Sequence, residues 1–166
     1  PITVTASYTD GEGTAESKTS DATSNVANVN DVGVATISDT TPAEGQELTA
    51  TLTDEDGTSN VTYQWKRDGS NISGATKQTY TPVQLDVGKP LTVTIGYTDA
   101  FAGAGQSVTS AATSNVSNVN DVGVAAIAGT ATEDQVLTAS LTDEDGTSNV
   151  SYQWKRDGAA ISGATN

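Results

Sequence analysis

The chain of 166 residues has no cysteine, no methionine and no histidine. Without cysteine there are no disulfides, no thiolate metal sites and no thiol nucleophile. Without histidine the commonest general base and the commonest zinc ligand are both missing. Basic residues are scarce: seven Lys and Arg stand against 21 Asp and Glu, a net charge of −14. A polyanion such as nucleic acid would be repelled, so no nucleic-acid partner is expected. Divalent cations are the natural counter-charge. No apolar run approaches the roughly 20 residues that a spanning helix needs, so no membrane insertion is expected of this segment. Neither a secretion signal, a phosphate-cradling loop, a pair of catalytic acids nor a triad can be assembled, and no enzymatic activity is expected.

What is present is repetition. Asn118-Val119-Asn120-Asp121-Val122-Gly123-Val124-Ala125 copies Asn28-Val29-Asn30-Asp31-Val32-Gly33-Val34-Ala35 at an offset of 90. Thr142-Asp143-Glu144-Asp145-Gly146-Thr147-Ser148-Asn149-Val150 copies Thr53 through Val61 at an offset of 89. Pro90-Leu91-Thr92-Val93-Thr94 echoes Pro1-Ile2-Thr3-Val4-Thr5. The period predicts the back of one repeat over 1–31, a whole repeat over 32–121, and the front of a third over 122–166. Net charge is −4, −6 and −4 over these parts, so acidity belongs to the repeat rather than to a tail. Tandem near-identity suits a spacer or an adhesive array better than a unique reactive centre.

Within the whole repeat the apolar residues alternate with period two. Leu48, Ala50 and Leu52 alternate with Thr49, Thr51 and Thr53, and Val61, Tyr63 and Trp65 with Thr62, Gln64 and Lys66. Leu91, Val93, Ile95 and Tyr97 alternate in the same way, and Val108 to Val116 forms a weaker last strand. Such alternation predicts strands buried on one face. Further short strands are expected at Val32–Ile37, around Asn71 to Ser73, and at Gln78–Thr81. Asp68-Gly69 predicts a tight hairpin. About seven strands in 90 residues, with no sustained helical period, predict an all-β sandwich. Trp65 and Trp154 share a face with Tyr63 or Tyr152, which favours a core role over sugar stacking.

Val61-Thr62-Tyr63-Gln64-Trp65-Lys66-Arg67-Asp68-Gly69 resembles strand C of an immunoglobulin-like domain, with its core Trp and following turn. Asp86-Val87-Gly88-Lys89-Pro90-Leu91-Thr92-Val93 resembles the E–F corner and strand F. Over essentially all its length the chain resembles the bacterial immunoglobulin-like repeats of very large surface adhesins and biofilm proteins. Pro90 and Thr92 stand where antibody-type domains carry the corner Tyr and the second Cys, so the antibody subtype is excluded. The resemblance implies an immunoglobulin-like Greek-key β-sandwich in tandem repeats of about 90 residues. It also implies an extracellular place on a bacterial cell surface and a non-catalytic role as an extender in cell adhesion.

Asp54-Glu55-Asp56-Gly57 and Asp143-Glu144-Asp145-Gly146 form the one constellation with metal chemistry. Three adjacent carboxylates repel one another unless water or a cation screens them, and oxygen ligands on a loop suit Ca²⁺. In the expected topology the 54–60 loop lies beside the linker Asn28, Asn30 and Asp31 and beside the loop that begins at Asp99. The next joint gathers Asn118, Asn120, Asp121, Asp143, Glu144 and Asp145, which Asp39, Glu44 and Asp86 of the preceding repeat approach. Asn-Val-Asn-Asp is similar to the acidic linkers of cadherin-like repeats, which implies structural Ca²⁺ between domains. The alternative is a solvated loop in which Asp and Gly simply make turns.

The expected partners are the neighbouring repeats of the same chain. The parts over 1–31 and 122–166 leave sheet edges and apolar faces open. Either they are a window on a longer array, or head-to-tail copies complete one another by strand addition, as in a filament subunit. A glycan- or partner-binding module is the remaining alternative. It would need exposed aromatics, and Phe101 is the candidate.

Overall fold

The computed structural model describes residues 1–165. It is all-β, built of antiparallel sheets, with one 3₁₀ turn and no α-helix among the described residues. Two compact units are present, Pro1–Val32 and the chain from Gly33 onward.

The first unit is a hairpin of β1 (Thr5–Thr9) and β2 (Ala15–Thr19), paired from Thr5↔Thr19 to Thr9↔Ala15. Its turn is held by Asp10, whose Oδ1 accepts from Glu12 N at 2.9 Å and from Thr14 N at 2.8 Å. Before β1 the pairing continues through hydroxyls. Ile2 N donates to Thr23 Oγ1 and Val4 N to Ser20 Oγ.

The second unit begins with β3 (Val34–Ile37), β4 (Leu48–Thr53), β5 (Thr58–Arg67), β6 (Ser70–Asn71), β7 (Thr79–Tyr80), β8 (Leu91–Asp99) and β9 (Gly105–Thr109). Two sheets result, ordered β3-β4-β7 and β6-β5-β8-β9. Apolar residues from both meet in one core: Leu48 and Ala50 of β4, Trp65 of β5, and Leu91, Val93 and Ile95 of β8 are fully buried. Burial alternates without a break along β8, as its Leu-Thr-Val-Thr-Ile pattern demands. Each large apolar side chain so removed from water stabilises the fold by about 1.5–3 kcal/mol. Trp65 is in the core; its Nε1 donates to Lys77 O at 3.0 Å and its ring lies 5.6 Å from that of Tyr80. Asp68 and Gly69 both take positive φ, 47° and 76°, in the hairpin turn between β5 and β6.

Two strands differ from the sequence pattern. β5 starts at Thr58 rather than Val61, because its first residues pair with Thr98 and Asp99 ahead of an irregularity between Ser59 and Thr62. Asn60 sits there with φ 51°, so the alternation slips phase and hides the early pairing. β9 ends at Thr109, and side-chain hydroxyls carry the ladder further. Val93 N donates to Ser110 Oγ and Leu91 N to Thr113 Oγ1, at 3.1 and 3.0 Å. Asn115 to Ser117 then bridge to Pro90, Val87 and Ala43.

The corner before β8 is the 3₁₀ turn Gln84–Asp86. Asp86 is fully buried. Its Oδ1 accepts from Arg67 Nε at 2.6 Å, and its Oδ2 from Tyr80 Oη at 2.7 Å and Val83 N at 2.8 Å. At the opposite end of β8, Tyr97 Oη accepts from Gly33 N at 2.9 Å. A Cβ on Gly33 would lie 2.7 Å from that oxygen, so the close approach requires glycine.

The rest of the unit holds β10 (Val124–Ala128), β11 (Thr138–Thr142), β12 (Gln153–Arg156) and β13 (Ala159–Thr165). β10 pairs with β11 and β12 with β13, each as a separate two-stranded sheet.

Candidate metal centre

Carboxylates collect where the chain leaves Ser117 on its way to β10. Oxygens of Glu44, Asp121 and Glu144 lie within 4.8 Å of one another. Glu44 follows Pro42-Ala43, and its N–H donates to Ser117 O at 3.0 Å, which ties that loop to the departing chain. Glu44 also accepts a backbone hydrogen bond from Val119. Partial burial first, then the charges of Asp121, Asp145 and Glu144, hold the Glu44 carboxyl above its ordinary value of 4.5. With its amide nitrogen turned toward them, Gln84 lies 3.0 Å from Glu44 Oε2 and 3.2 Å from Asn118 Oδ1.

Asp145 clamps the linker. Its Oδ1 accepts from Asn118 Nδ2 at 2.7 Å and its Oδ2 from Asp121 N at 2.8 Å. These bonds hold the Asp145 carboxyl below its ordinary value of 3.8, the backbone donor contributing most. Its own N–H donates to Asp143 Oδ1, so the acidic turn is stapled from within. Asn120 Nδ2 donates to Asp121 O. The structure therefore brings together Asn118, Asp121, Glu144 and Asp145 of the expected set, with Asp143 and Asn120 supporting them from the adjoining turns. Glu44 joins them from the loop between β3 and β4. Asp39 instead serves its own loop, accepting from Thr41 N and Gln46 Nε2. Asp86 is committed to Arg67, Tyr80 and Val83.

Asn28, Asn30 and Asp31 lie in the first compact unit, where Asn30 Nδ2 donates to Asp31 O. Asp54, Glu55, Asp56 and Asp99 lie in the second. Glu55 is exposed at the tip of the acidic turn. Asp56 N donates to Asp54 Oδ1. This turn is joined to the β8–β9 turn by Ala100 N donating to Gly57 O at 3.1 Å. Asp99 is fully buried, and its Oδ1 accepts from Phe101 N and Ala102 N. Each carboxylate thus spends Oδ1 on its own turn. Asp54 Oδ2 and Asp99 Oδ2 are both buried with no hydrogen-bond partner among the described residues. Buried charged oxygens without partners are costly. Carboxylate oxygens on acidic turns are the hard ligand type that a cation such as Ca²⁺ takes. Of the three side chains expected to approach this joint only Glu44 does so, and Gln84, which belongs to no acidic run, was not foreseen.

Phe101 is 51% exposed on the β8–β9 turn. No helix of the described residues is long and apolar enough to cross a membrane. No family model matches the chain, and no curated protein or solved structure matches it either.

Proposed function

We propose that the chain is a stretch of a tandem array of immunoglobulin-like Greek-key sandwiches, a non-catalytic extender of a bacterial surface adhesin. Strand order supports the fold. β3-β4-β7 opposite β6-β5-β8-β9 corresponds to A-B-E opposite C′-C-F-G. Matching local structure supports the repeat of about 90 residues. The Val34↔Thr53 register recurs as Val124↔Thr142, and Lys66↔Asn71 as Lys155↔Ala160. The hydroxyl caps on Leu91 and Val93 recur on Ile2 and Val4.

The observation that carries the extender reading is the Asp145 clamp. A linker bonded at both Asn118 and Asp121 to the turn after β11 has little slack, so end-to-end repetition gives reach rather than a flexible string. Ca²⁺ taken by the acidic joints then stiffens them. Glu44, Asp121 and Glu144 supply oxygens at the joint after Ser117, and Asp54 and Asp99 offer theirs on two adjoining turns of the second unit. A rival reading, adhesion to a glycan or partner, has Phe101 in its favour and needs binding that Phe101→Ala abolishes.

The test is a Ca²⁺ titration of chelator-treated protein, followed by thermal melting and by the maximum dimension in small-angle scattering. A higher melting temperature and a longer, narrower particle are expected. If saturating Ca²⁺ changes neither, the cation has no part in the joint. The extender reading is tested separately by Asp145→Ala, which should broaden the distribution of particle lengths in the same measurement.

A further inference from the structure

The two sheets of β3–β9 end in a short extended piece, Asn115–Ser117, that is held from both sides. Val116 spends its backbone groups on the corner before β8. Its N–H donates to Lys89 O at 3.0 Å, and its carbonyl accepts from Gly88 N at 2.9 Å. Ser117 spends its own on the loop between β3 and β4. Its N–H donates to Pro42 O at 2.9 Å, and its carbonyl accepts from Glu44 N at 3.0 Å. The Ser117 hydroxyl adds a bond to Pro42 O at 3.3 Å, and Ser114 N donates to Thr40 O at 2.8 Å. Successive residues face opposite ways, as an extended chain must. Ala43↔Ser117 and Val87↔Val116 are both parallel bridges. The Val116 side chain, 2% exposed, sits in the core.

Both holding pieces are themselves fixed. In the 39–46 loop, Asp39 accepts from Thr41 N and Gln46 Nε2, and Ala43 N donates to Gln46 Oε1 at 3.0 Å. Gly45 N ties the same loop to Pro82 O at 2.9 Å. Pro42, whose carbonyl takes both Ser117 bonds, is fully buried, and its ring fixes φ. The 84–89 corner is tied down by the buried Asp86, whose carbonyl also accepts from Lys89 N at 2.9 Å.

We propose that Asn115–Ser117 is a mechanical latch, the contact that sets how much tension along the chain the β3–β9 sheets withstand. Tension enters these sheets at Gly33, reaches the 39–46 loop through β3, and leaves through Ser117. Two parallel segments loaded from opposite ends slide past each other instead of peeling apart. Hydrogen bonds between strands lie broadly across them, so sliding strains the bonds of Ser114, Ser117 and Glu44 together. Once Ser117 is free, tension acts on Thr113 and then Ser110, whose bonds to Leu91 and Val93 open one after another. Resistance to force follows the unfolding rate, and the bonds broken on the way to the transition state set that rate. Latch variants should therefore lose force resistance out of proportion to equilibrium stability. The latch belongs to these sheets and goes beyond the extender reading, which stands if the latch fails.

The experiment is single-molecule stretching of the whole chain, held at its two ends, with chelator present so that the cation question stays separate. The event belonging to these sheets is recognised by its length, since extending residues 33–117 releases about 280–310 Å less the folded span. Wild type should give it as one step. Ser117→Pro deletes the N–H and the hydroxyl that hold Pro42 O, and should speed that step about tenfold at a given force, the rate equivalent of one hydrogen bond. Ser110→Ala lies away from the latch, and should lower stability in urea while leaving the step at its wild-type rate. A Ser117→Pro chain that unfolds under force as slowly as wild type overturns the proposal, as does a Ser110→Ala chain weakened under force as much as Ser117→Pro. If Ser117→Pro does not fold, the wild-type trace decides. A short step of about 40 Å ahead of the long one would mean that β3 peels from β4 first and that the latch does not set the limit.

Discussion

Asp86 shows what a fully buried charge asks of its neighbours. Its two oxygens receive three donors, and only Arg67 brings a compensating charge. The side chain of Arg67 is 26% exposed, whereas that of Asp86 is at 0%. Removing the cation therefore strands a carboxylate with no access to water. Removing the anion leaves a guanidinium that can turn outward. Arg67→Met should cost about 3 kcal/mol, at the low end for a broken buried pair because Arg67 is partly solvated. Asp86→Asn should cost less than Arg67→Met. Tyr80→Phe deletes one bond to a charged acceptor and should cost about 1.5–3 kcal/mol. Urea unfolding of the whole chain checks the order, which would reverse if the arginine were the more buried partner. Burial and then the Asp86 bond push the Tyr80 hydroxyl up to about 12 from 10.0. A raised folded-state value contributes stability that is complete below 10 and lost as pH rises toward 12. Tyr80→Phe should remove that alkaline loss, read as a flatter stability profile above pH 10.

At the scale of elements, β8 is held on one side by β5 and on the other by a strand that gives out early. Where β9 stops, Ser110 and Thr113 supply hydroxyls to Val93 N and Leu91 N, both buried bonds. Ser110→Ala or Thr113→Val should each leave a buried amide unpaired and cost about 1–3 kcal/mol. The loss should appear as faster hydrogen exchange at Val93 or Leu91, with Ile95 unaffected. Equal exchange in variant and wild type would mean that water replaces the hydroxyl. Ser110 reads from the sequence as one member of the weak Val108-to-Val116 alternation and Thr113 as a residue within that expected strand, so nothing in period-two patterning marks their hydroxyls as partners of buried amides. The strands themselves were legible wherever one face is apolar throughout: β4, the later part of β5, and β8. The early pairing of β5 was not, because Asn60 shifts the phase. The core place of Trp65 followed from its sharing a face with Tyr63 and Val61. The acidic turns were legible as a run of carboxylates. Glu44 could be named only as one of three side chains near the joint, because its approach to Asp121 and Glu144 depends on how the departing chain bonds to the 42–44 loop.

Across the whole molecule, the joint after Ser117 combines two carboxyls shifted in opposite directions. Glu44 is raised above 4.5 by partial burial and by the surrounding acid, whereas Asp145 is lowered below 3.8 by the linker's donors. A raised carboxyl binds its proton more tightly in the folded joint, so its share of stability grows as pH falls and is lost as pH rises through the raised value. A lowered carboxyl contributes stability above 3.8 that is lost as pH falls through the depressed value. With divalent cations removed, the joint should therefore tighten as pH is lowered from 7 toward 4.5 and loosen again well below 3.8. Slowed hydrogen exchange at Asp121 N, which donates to Asp145, reports the state of the clamp. Glu44→Gln should abolish the gain on mild acidification and leave the loss at low pH. Ca²⁺ held by Glu44, Asp121 and Glu144 would take the place of the proton, giving a joint already tight at pH 7 and flat down to the range where carboxylates begin to protonate. If Ca²⁺ raises the melting temperature yet leaves the acid gain at Asp121 intact, the cation sits instead at Asp54 and Asp99. The pH profile thus separates the two acidic places, which a melting curve alone would merge.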